Sequence, residues 1–412
     1  MPRVNPFKAT RPTRDKVGLI ASRPYESYSK EEREARLDHN PFSFLHIVNP
    51  GYKYHKEISG RKAFGLVKNR FEEFKEDGSF LQEEKACFYI HRILYRNTKS
   101  FTGIVACCHA EDYLNNQIKI HEDTLAKKVT VFSEYLQTVR FNADPVLVTY
   151  PENKKLKELI QSQTLVRPEY EFTTTSRETH HLWVIKEEAI IQEIEASFKA
   201  MPCLYLADGH HRFSSSANLA VQLKNENPNH TGDEAYNQIM CYLIEENDLE
   251  IREFNRLVTD LNGLTKEEFL IQLDASFKIE NRGFEYYKPS KKHHFSMYLD
   301  GEFYSLYLRK QHYFNENALE QLDTYILFKH ILKPILGIKD LRNDSRISYA
   351  QGQREMAFVK GKVDAGKFAV GFGLVPVSIE ELKNIADQGL KMPPKSTYID
   401  PKLRSGITIL EF

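Results

Sequence analysis

Five consecutive residues, Asp208-Gly209-His210-His211-Arg212, are the part of this chain best suited to chemistry, and we call them the DGHHR segment. The apolar residues 203–207 before it predict a buried strand, and the Ala-, Leu- and Ser-rich residues 214–223 after it predict a helix. Glycine suits a tight turn between them. The first amides of a helix lack internal partners and attract anions. Because arginine can also hold a phosphate through two parallel hydrogen bonds, the segment predicts a phosphate-handling turn.

Two other interpretations of the DGHHR segment stand beside this one. Asp208 could cap the helix while the histidines lie at the surface. The two histidines could instead belong to a zinc site, but adjacent histidines tend to point apart and no paired cysteines lie nearby. Five such residues directly after a buried strand favour a functional turn over surface decoration.

Three further groups of residues have the chemistry of a site. His121-Glu122 precedes a helix predicted at 125–138, where the pair could cap the helix or place a carboxylate beside a reacting hydroxyl. Lys395-Ser396-Thr397 follows two prolines and forms either a cluster of phosphate donors or an ordinary polar turn. Arg256 lies in a predicted strand, 254–258, and is compatible with a ligand-facing or a structural role.

Length, net charge and cysteine content indicate what class of protein this chain belongs to. The chain has 412 residues, which predicts two or three subdomains. Its formal net charge is zero, which argues against non-specific binding of nucleic acid or membrane by the whole surface. No apolar run is long enough to span a bilayer and no secretory signal opens the chain, so we expect a cytoplasmic protein. Five cysteines are predicted to be reduced core residues, namely Cys87, Cys107, Cys108, Cys203 and Cys241.

The remaining pattern predicts an α/β (α+β) fold. Short apolar runs alternate with helical periodicity along most of the chain. Strands are predicted at 17–21, 42–48, 86–90, 101–108, 145–150, 181–185, 237–245 and 254–258, a hairpin at 294–299 and 302–309, and helices at 61–77, 125–138, 154–161, 187–198, 264–277, 319–332 and 379–387.

Three motifs together resemble a family of uncharacterised bacterial and archaeal proteins. The HExT segment contains His121, Glu122 and Thr124, the second motif is Ala-Asp-Gly-His-His-Arg at 207–212, and the MPPKST segment spans 392–397. Weaker matches begin at Phe7, so the resemblance covers nearly the whole chain. The combination of motifs is specific, whereas none of the three is specific alone.

The order of these motifs also resembles, more distantly, the ParB and sulfiredoxin-like superfamily. Within it the chain is most similar to the free serine kinases, which transfer a phosphoryl group from a nucleotide to L-serine. The resemblance implies a ParB-like catalytic core at 115–225 with an insertion at about 151–202. It also implies an N-terminal α/β region at 1–114 and a C-terminal α/β region at 226–412 that completes the site.

The same resemblance implies a function and a set of roles. It implies a nucleotide-dependent kinase of a small hydroxylated metabolite such as free L-serine, with ATP or ADP and Mg²⁺ as cofactors. The alternatives are a phosphatase of a metabolite such as phosphoserine and a nucleotide-binding regulatory module without catalysis. A small-molecule substrate and a nucleotide are the expected partners, without membrane or nucleic acid, and a homo-oligomer is compatible with the sequence. The implied catalytic residues are Glu122, His210 and His211; the phosphate-binding residues are Asp208, Gly209, His210, His211, Arg212, Lys395, Ser396 and Thr397; His121, Thr124 and Arg256 would contact substrate, and Asp208 would bind the metal.

Overall fold

The computed structural model describes residues 1–95, 99–313, 317–351 and 356–412. They form two compact units, and we describe each by itself. The first unit contains Met1–Lys119, Thr124–Leu249 and Pro401–Phe412, and the second contains Ile120–Asp123 and Glu250–Asp400. The division into three regions that the motif order implies concerns the limits of a catalytic core, and it stays a prediction.

Strands occur in both units and are numbered in chain order. They are β1 (Val4–Asn5), β2 (Thr10–Pro12), β3 (Phe80–Gln82), β4 (Phe88–Tyr95), β5 (Lys99–His109), β6 (Ile118–Lys119), β7 (Phe141–Asn142), β8 (Val146–Tyr150), β9 (Tyr170–Thr173), β10 (Glu178–Ile185), β11 (Leu204–Asp208), β12 (Gln238–Glu245), β13 (Glu250–Arg252), β14 (Phe254–Val258), β15 (Phe277–Gly283), β16 (His294–Leu299), β17 (Glu302–Leu308), β18 (Ile347–Gln351), β19 (Val370–Gly373), β20 (Tyr398–Asp400) and β21 (Leu410–Glu411).

The α-helices are numbered in the same way. They are α1 (Val17–Ile20), α2 (Lys30–His39), α3 (Leu45–Val48), α4 (Arg61–Glu76), α5 (Ala110–Leu114), α6 (Ala126–Val139), α7 (Lys154–Gln163), α8 (Glu188–Lys199), α9 (His210–Glu226), α10 (Lys266–Asp274), α11 (Asp323–Leu327), α12 (Met356–Asp364) and α13 (Ile379–Asp387). A π-helical turn at Phe328–Leu332 directly follows α11.

The first unit is built on a nine-stranded mixed sheet. Its strand order is β6-β11-β8-β12-β5-β4-β10-β9, with β1 also pairing with β5. Strand β12 runs parallel to β8, whereas β11 runs antiparallel to it. Every residue of β8 is buried, as its unbroken apolar sequence predicts. Helices α6 and α9 pack together through Leu136, Leu219 and Leu223, which fixes the helix that begins in the DGHHR segment.

The second unit has a six-stranded antiparallel sheet of its own. Its order is β15-β17-β16-β19-β14-β18, and Arg256 lies in the middle of β14. Phe269 of α10 and Leu332 of the π-helical turn belong to one buried apolar cluster with sheet residues such as Phe295 and Phe372. A separate two-stranded pairing joins β13 to β20, which directly follows the MPPKST segment.

The structure confirms the mixed α/β class and most of the predicted elements. The hairpin β16–β17 has the predicted bounds to within one residue. The sequence also predicts that 86–90 and 101–108 pair around a turn at Asn97; β4 does pair with β5, and Asn97 lies outside the described residues. Two predicted strands are wrong: 17–21 contains helix α1 and 42–48 contains helix α3. The five cysteines are free and buried. None of the helices in the described part of the chain has the length and apolar character that a bilayer span requires.

Candidate functional site

The DGHHR segment lies where strand β11 meets helix α9 in the first unit. The sequence predicted a helix from 214, but α9 already begins at His210, so only Gly209 separates the strand from the helix. Gly209 has a left-handed φ of 93°. A Cβ at this position would lie 3.0 Å from the NH2 nitrogen of Arg212 and 3.1 Å from Cγ1 of Val146. The site therefore needs glycine for its backbone angle and for the space above it.

The start of α9 has no side-chain cap. Gly209 occupies the N-cap position, and no side chain there accepts a hydrogen bond from the first turn. The capping role of Asp208 considered from the sequence stays a prediction. The start of this 17-residue helix, where the positive end of the helix dipole lies, favours an anion.

Asp208 instead forms an ion pair with a residue from the end of the chain. Its Oδ1 accepts a hydrogen bond from the Gly209 amide at 2.8 Å, and its Oδ2 accepts one from Nζ of Lys402 at 2.9 Å. Desolvation tends to raise the pKa of Asp208, but the charges of Lys402 and Arg212 outweigh it and lower the pKa to about 2. The carboxylate is thus ionised at neutral pH, and Lys402 balances its charge.

Arg212 points back across the segment from the first turn of α9. Its NH1 nitrogen donates to the carbonyl oxygens of Asp144 (3.2 Å) and Pro145 (3.1 Å), which precede β8. Its NH2 nitrogen lies above Gly209. The two carbonyl contacts fix the plane of the guanidinium, so that a cation stands over the open side of the glycine.

The two histidines have different surroundings. His210 is the first residue of α9 and is 4% exposed. The Nε2 of His211 accepts a hydrogen bond from the amide of Leu125, the N-cap residue of α6, at 3.1 Å. His211 therefore joins the start of α6 to the start of α9.

The HExT segment is divided between the units. Thr124 is half-buried in the first unit, one residue before the α6 N-cap, while His121 and the half-buried Glu122 belong to the second unit. Helix α6 begins after Leu125, whose own side chain makes no cap, and both interpretations of His121-Glu122, as a capping pair and as a functional pair, stay predictions.

Within the second unit, the MPPKST segment packs against the backbone of the HExT segment. The amide of Met392 donates to the carbonyl of His121 at 2.8 Å. The neighbouring Lys391 donates from Nζ to the carbonyl of Ile120 at 3.1 Å. Two of the three motifs are thus in direct contact inside one unit.

Arg256 forms hydrogen bonds that hold the backbone of the MPPKST segment. Its guanidinium is 1% exposed and donates from NH2 to the carbonyl of Lys395 at 3.1 Å and from NH1 to the carbonyl of Phe254. Desolvation lowers the pKa of Arg256 to about 10, with the nearby Tyr349 acting in the opposite direction. This geometry gives Arg256 a positioning role, and contact with substrate stays a prediction.

The three polar residues of the MPPKST segment do not share one environment. Lys395 is exposed, has a left-handed φ of 59°, and places Nζ 5.9 Å from the centre of the Phe254 ring. Ser396 is 2% exposed; its hydroxyl donates to the carbonyl of Pro393 at 2.7 Å and lies 3.1 Å from Oγ1 of Thr324. Thr397 is half-buried. Ser396 therefore anchors the segment, and Lys395 is the residue that it presents to solvent.

The predicted cofactors differ in how well the first unit fits them. The position directly above Gly209 is filled by Arg212 and Val146, but the guanidinium of Arg212 and the positive end of α9 are groups that suit a phosphate. Magnesium at Asp208 is not favoured, because both carboxylate oxygens are engaged and Lys402 already supplies positive charge there. Among the described residues, no group of three His, Cys, Asp or Glu side chains is arranged to hold a metal ion. The assignment of Asp208 as a metal ligand stays a prediction.

A family model described as "Protein of unknown function (DUF1015)" matches residues 4–325, which is most of the chain and includes the HExT and DGHHR segments. The chain belongs to this family. The resemblance to an uncharacterised family is therefore confirmed. No curated protein is significantly similar to this DUF1015 chain.

Several solved structures are similar to this DUF1015 protein. SbnI with a C-terminal truncation, from Staphylococcus aureus, has a TM-score of 0.39 and 12% identity, over 74% of this chain and 85% of that one. A conserved hypothetical protein from Pyrococcus furiosus has a TM-score of 0.36 and 11% identity, over 74% of this chain and 94% of that one. A free serine kinase in complex with AMP has a TM-score of 0.35 and 11% identity, over 74% and 91%, and another structure of that kinase contains ADP. Similarity at this level carries no functional conclusion for this chain.

Lys402 is the residue of this site that sequence analysis did not find. It is separated from Asp208 by 194 positions in the chain, and it lies outside the three motifs and beyond the residues that the family model matches. A lone lysine after Pro401 has no periodicity or spacing that predicts a role. Only the fold of the first unit reveals its contact with the DGHHR segment.

Proposed function

We propose that this chain is a nucleotide-dependent phosphotransferase, a kinase that acts on a small hydroxylated metabolite such as free L-serine. The observation that supports it is the glycine at the start of α9, with the positive end of the helix on one side and the guanidinium of Arg212, held by two carbonyl oxygens, on the other. Phosphoryl transfer depends mainly on positioning and on neutralising charge. This arrangement offers both to a phosphate.

In this proposal the DGHHR segment binds the nucleotide phosphates. The amides of the first turn and Arg212 donate hydrogen bonds to phosphate oxygens, and Arg212 is pre-oriented by the carbonyls of Asp144 and Pro145. Since Nε2 of His211 already accepts the Leu125 amide, its contribution is to hold α6 in place. His210 is then the histidine that contacts phosphate or transfers a proton.

The acceptor hydroxyl must lose its proton during transfer, and the motif resemblance assigns this step to Glu122. In this proposal Glu122 takes the proton from the hydroxyl of the metabolite as the oxygen attacks the terminal phosphorus of the nucleotide. The phosphoanhydride bond to that phosphorus breaks, and the nucleotide leaves one phosphate shorter, keeping the electron pair of the broken bond. A general base of this kind typically contributes about 10²–10⁴-fold to the rate. Glu122→Gln keeps the shape of the side chain and removes the base, so turnover should fall by that factor while nucleotide affinity is retained.

The test uses the full chain with ATP or ADP and a panel of hydroxylated metabolites that begins with L-serine, followed by ³¹P NMR. We expect a new phosphomonoester signal with the wild-type chain, and a lower rate with Glu122→Gln. Arg212→Ala should weaken nucleotide binding by about 10- to 150-fold, which corresponds to the roughly 1.5–3 kcal/mol of a charged hydrogen bond.

A matched control for Arg212→Ala is Arg92→Ala. Arg92 is also half-buried in the first unit and also donates only to neutral oxygens in its recorded hydrogen bonds, those of Thr102 and Thr164. Arg92→Ala should leave nucleotide affinity unchanged. Release of inorganic phosphate from phosphoserine without nucleotide would favour the phosphatase instead. Nucleotide binding without transfer to any acceptor of the panel would favour a regulatory module.

A further inference from the structure

The last twelve residues, Pro401–Phe412, form a segment of the first unit that we call the C-terminal segment. Its far end is part of the core, because Ile407, Ile409 and Leu410 are each less than 5% exposed. Strand β21 pairs with β7, and Ile409 pairs with Thr10 in a separate bridge. The segment is therefore an integral part of this unit.

The near end of the segment is held by polar contacts on both sides of Lys402. The Lys402 amide donates to the hydroxyl of Tyr95 at 2.9 Å. Two residues later, the guanidinium of Arg404 is 6–7% exposed and donates to Glu178 at 2.6 Å and to Ser176 at 3.0 Å. Because these contacts fix the backbone at Lys402 and at Arg404, the side chain of Lys402 lies against Asp208.

A purely structural explanation of the Lys402–Asp208 pair is weak. The two side chains are 38% and 44% exposed, and ion pairs at such exposure contribute little to stability. The position of the pair matters more, because Asp208 precedes the glycine that lies under Arg212. A bare carboxylate there would repel an incoming phosphate, and an ammonium beside it cancels that repulsion.

We propose that Lys402 is a phosphate-binding residue of this site, and that its ammonium also neutralises the carboxylate of Asp208 beside the ligand. This inference rests on the proposed function, since it concerns the same phosphate. An ammonium carries three donor hydrogens and can bridge a carboxylate and a phosphate at the same time. The phosphate is then held between Arg212 and Lys402, one cation from the motif and one from the C-terminal segment.

Opposite effects of two substitutions distinguish this role from a structural ion pair. Lys402→Met removes a cation that binds phosphate, so affinity for ATP, ADP and inorganic pyrophosphate should fall by about 10- to 100-fold. Asp208→Asn keeps an acceptor for the Gly209 amide and removes a negative charge near the ligand, so affinity should rise by about fivefold. A structural pair predicts that both substitutions change affinity in the same direction.

A matched control exists at the other end of strand β8. Lys157 is 40% exposed and pairs with Glu245 at 2.8 Å, so it resembles Lys402 in exposure and geometry. Glu245 lies beside Tyr150, the last residue of β8, whereas Asp208 lies beside Leu147 near its start. Lys157→Met should leave affinity for all three ligands unchanged. Lys402→Arg, which keeps the charge, should bind more tightly than Lys402→Met.

Isothermal titration calorimetry on the full chain, with a urea melt of each variant to confirm folding, separates the outcomes. If the wild-type chain binds none of the three anions, the proposed function is wrong and this inference fails with it. If the wild-type chain binds and folded Lys402→Met binds equally well, the inference about Lys402 is wrong and the proposed function stands. Loss of binding in Lys402→Met with a gain in Asp208→Asn supports the inference.

Discussion

Replacing Gly209 by alanine, and comparing the result with a second glycine, separates two reasons why the site needs glycine: its left-handed backbone angle and the lack of room for a side chain. Gly209 has φ 93°, and an added Cβ would lie 3.0 Å from NH2 of Arg212 and 3.1 Å from Cγ1 of Val146. Gly232, in the same unit, has a similar φ of 102° with nothing within 4 Å of an added Cβ. Gly232→Ala is therefore a matched control that imposes the backbone strain without the contact.

The expected magnitudes follow from this comparison. A left-handed alanine costs about 1–2 kcal/mol of stability, and both variants should show that loss. In Gly209→Ala the new methyl group meets Val146, which is fully buried in β8 and cannot retreat, so Arg212 must move. Overpacking adds about 1–3 kcal/mol. Gly209→Ala should therefore be less stable than Gly232→Ala, and only Gly209→Ala should disturb the guanidinium.

Two measurements on both variants test this reasoning. Urea unfolding compares their free energies of unfolding, and calorimetric titration with ATP and pyrophosphate compares their affinities. We expect Gly209→Ala to bind about 10- to 150-fold more weakly, as for a lost charged hydrogen bond, and Gly232→Ala to bind like the wild-type chain. Equal stability and equal affinity of the two variants would refute the view that the guanidinium of Arg212, as Gly209 allows it to lie, binds the phosphate.

Two further predictions concern stability. Burial raises the pKa of Asp323 to about 7, although Lys292 and the His293 amide act against it. The folded protein therefore keeps a proton on this carboxyl that the unfolded chain loses near pH 4. As the pH rises from about 4 to 7, the free energy of unfolding of the wild-type chain should fall by up to roughly 4 kcal/mol relative to Asp323→Asn. Parallel melts from pH 4 to pH 8 measure this, and equal slopes would contradict it. In the C-terminal segment, Gly406→Ala combines φ 82° with a 2.7 Å contact to the buried ring of Phe44. Its free energy of unfolding should fall by roughly 2–5 kcal/mol. The control Gly78→Ala, where nothing lies within 4 Å of an added Cβ, should lose about 1–2 kcal/mol. Equal losses in urea melts would show that the Phe44 ring moves aside without cost.

The elements around the DGHHR segment could be predicted because their signals are local. The unbroken apolar sequence before Asp208 and the periodic sequence after it identify β11 and α9 without knowledge of the fold. The sequence predicts the start of α9 four residues late, because the polar residues at 208–212 are typical of a turn. In the structure, the left-handed Gly209 completes the change of direction alone, and His210 is already helical.

The two wrong strands have a different cause. Residues 17–21 and 42–48 are short apolar runs, and periodicity cannot separate a buried strand from a single buried helical turn at that length. Helices α1 and α3 each have only four residues. Two residues of each helix are buried, Val17 and Ile20 in α1 and Leu45 and Ile47 in α3, whereas Leu19 is exposed. Burial was thus predictable at these positions, whereas secondary structure was decided by tertiary contacts.

Lys402 marks the limit of motif-based prediction for this site. The DGHHR segment supplied an anion-attracting backbone and one arginine, Arg212, but also a carboxylate, Asp208, whose charge opposes an anion. That opposition is visible in the sequence, and it implies that a counter-charge must come from elsewhere in the fold. Nothing in the sequence identifies the donor, because Lys402 reaches Asp208 only after the Arg404–Glu178 pair and the Tyr95 hydroxyl have fixed its backbone. An uncompensated carboxylate inside a predicted anion site is therefore a reason to search the rest of the chain for a missing lysine or arginine.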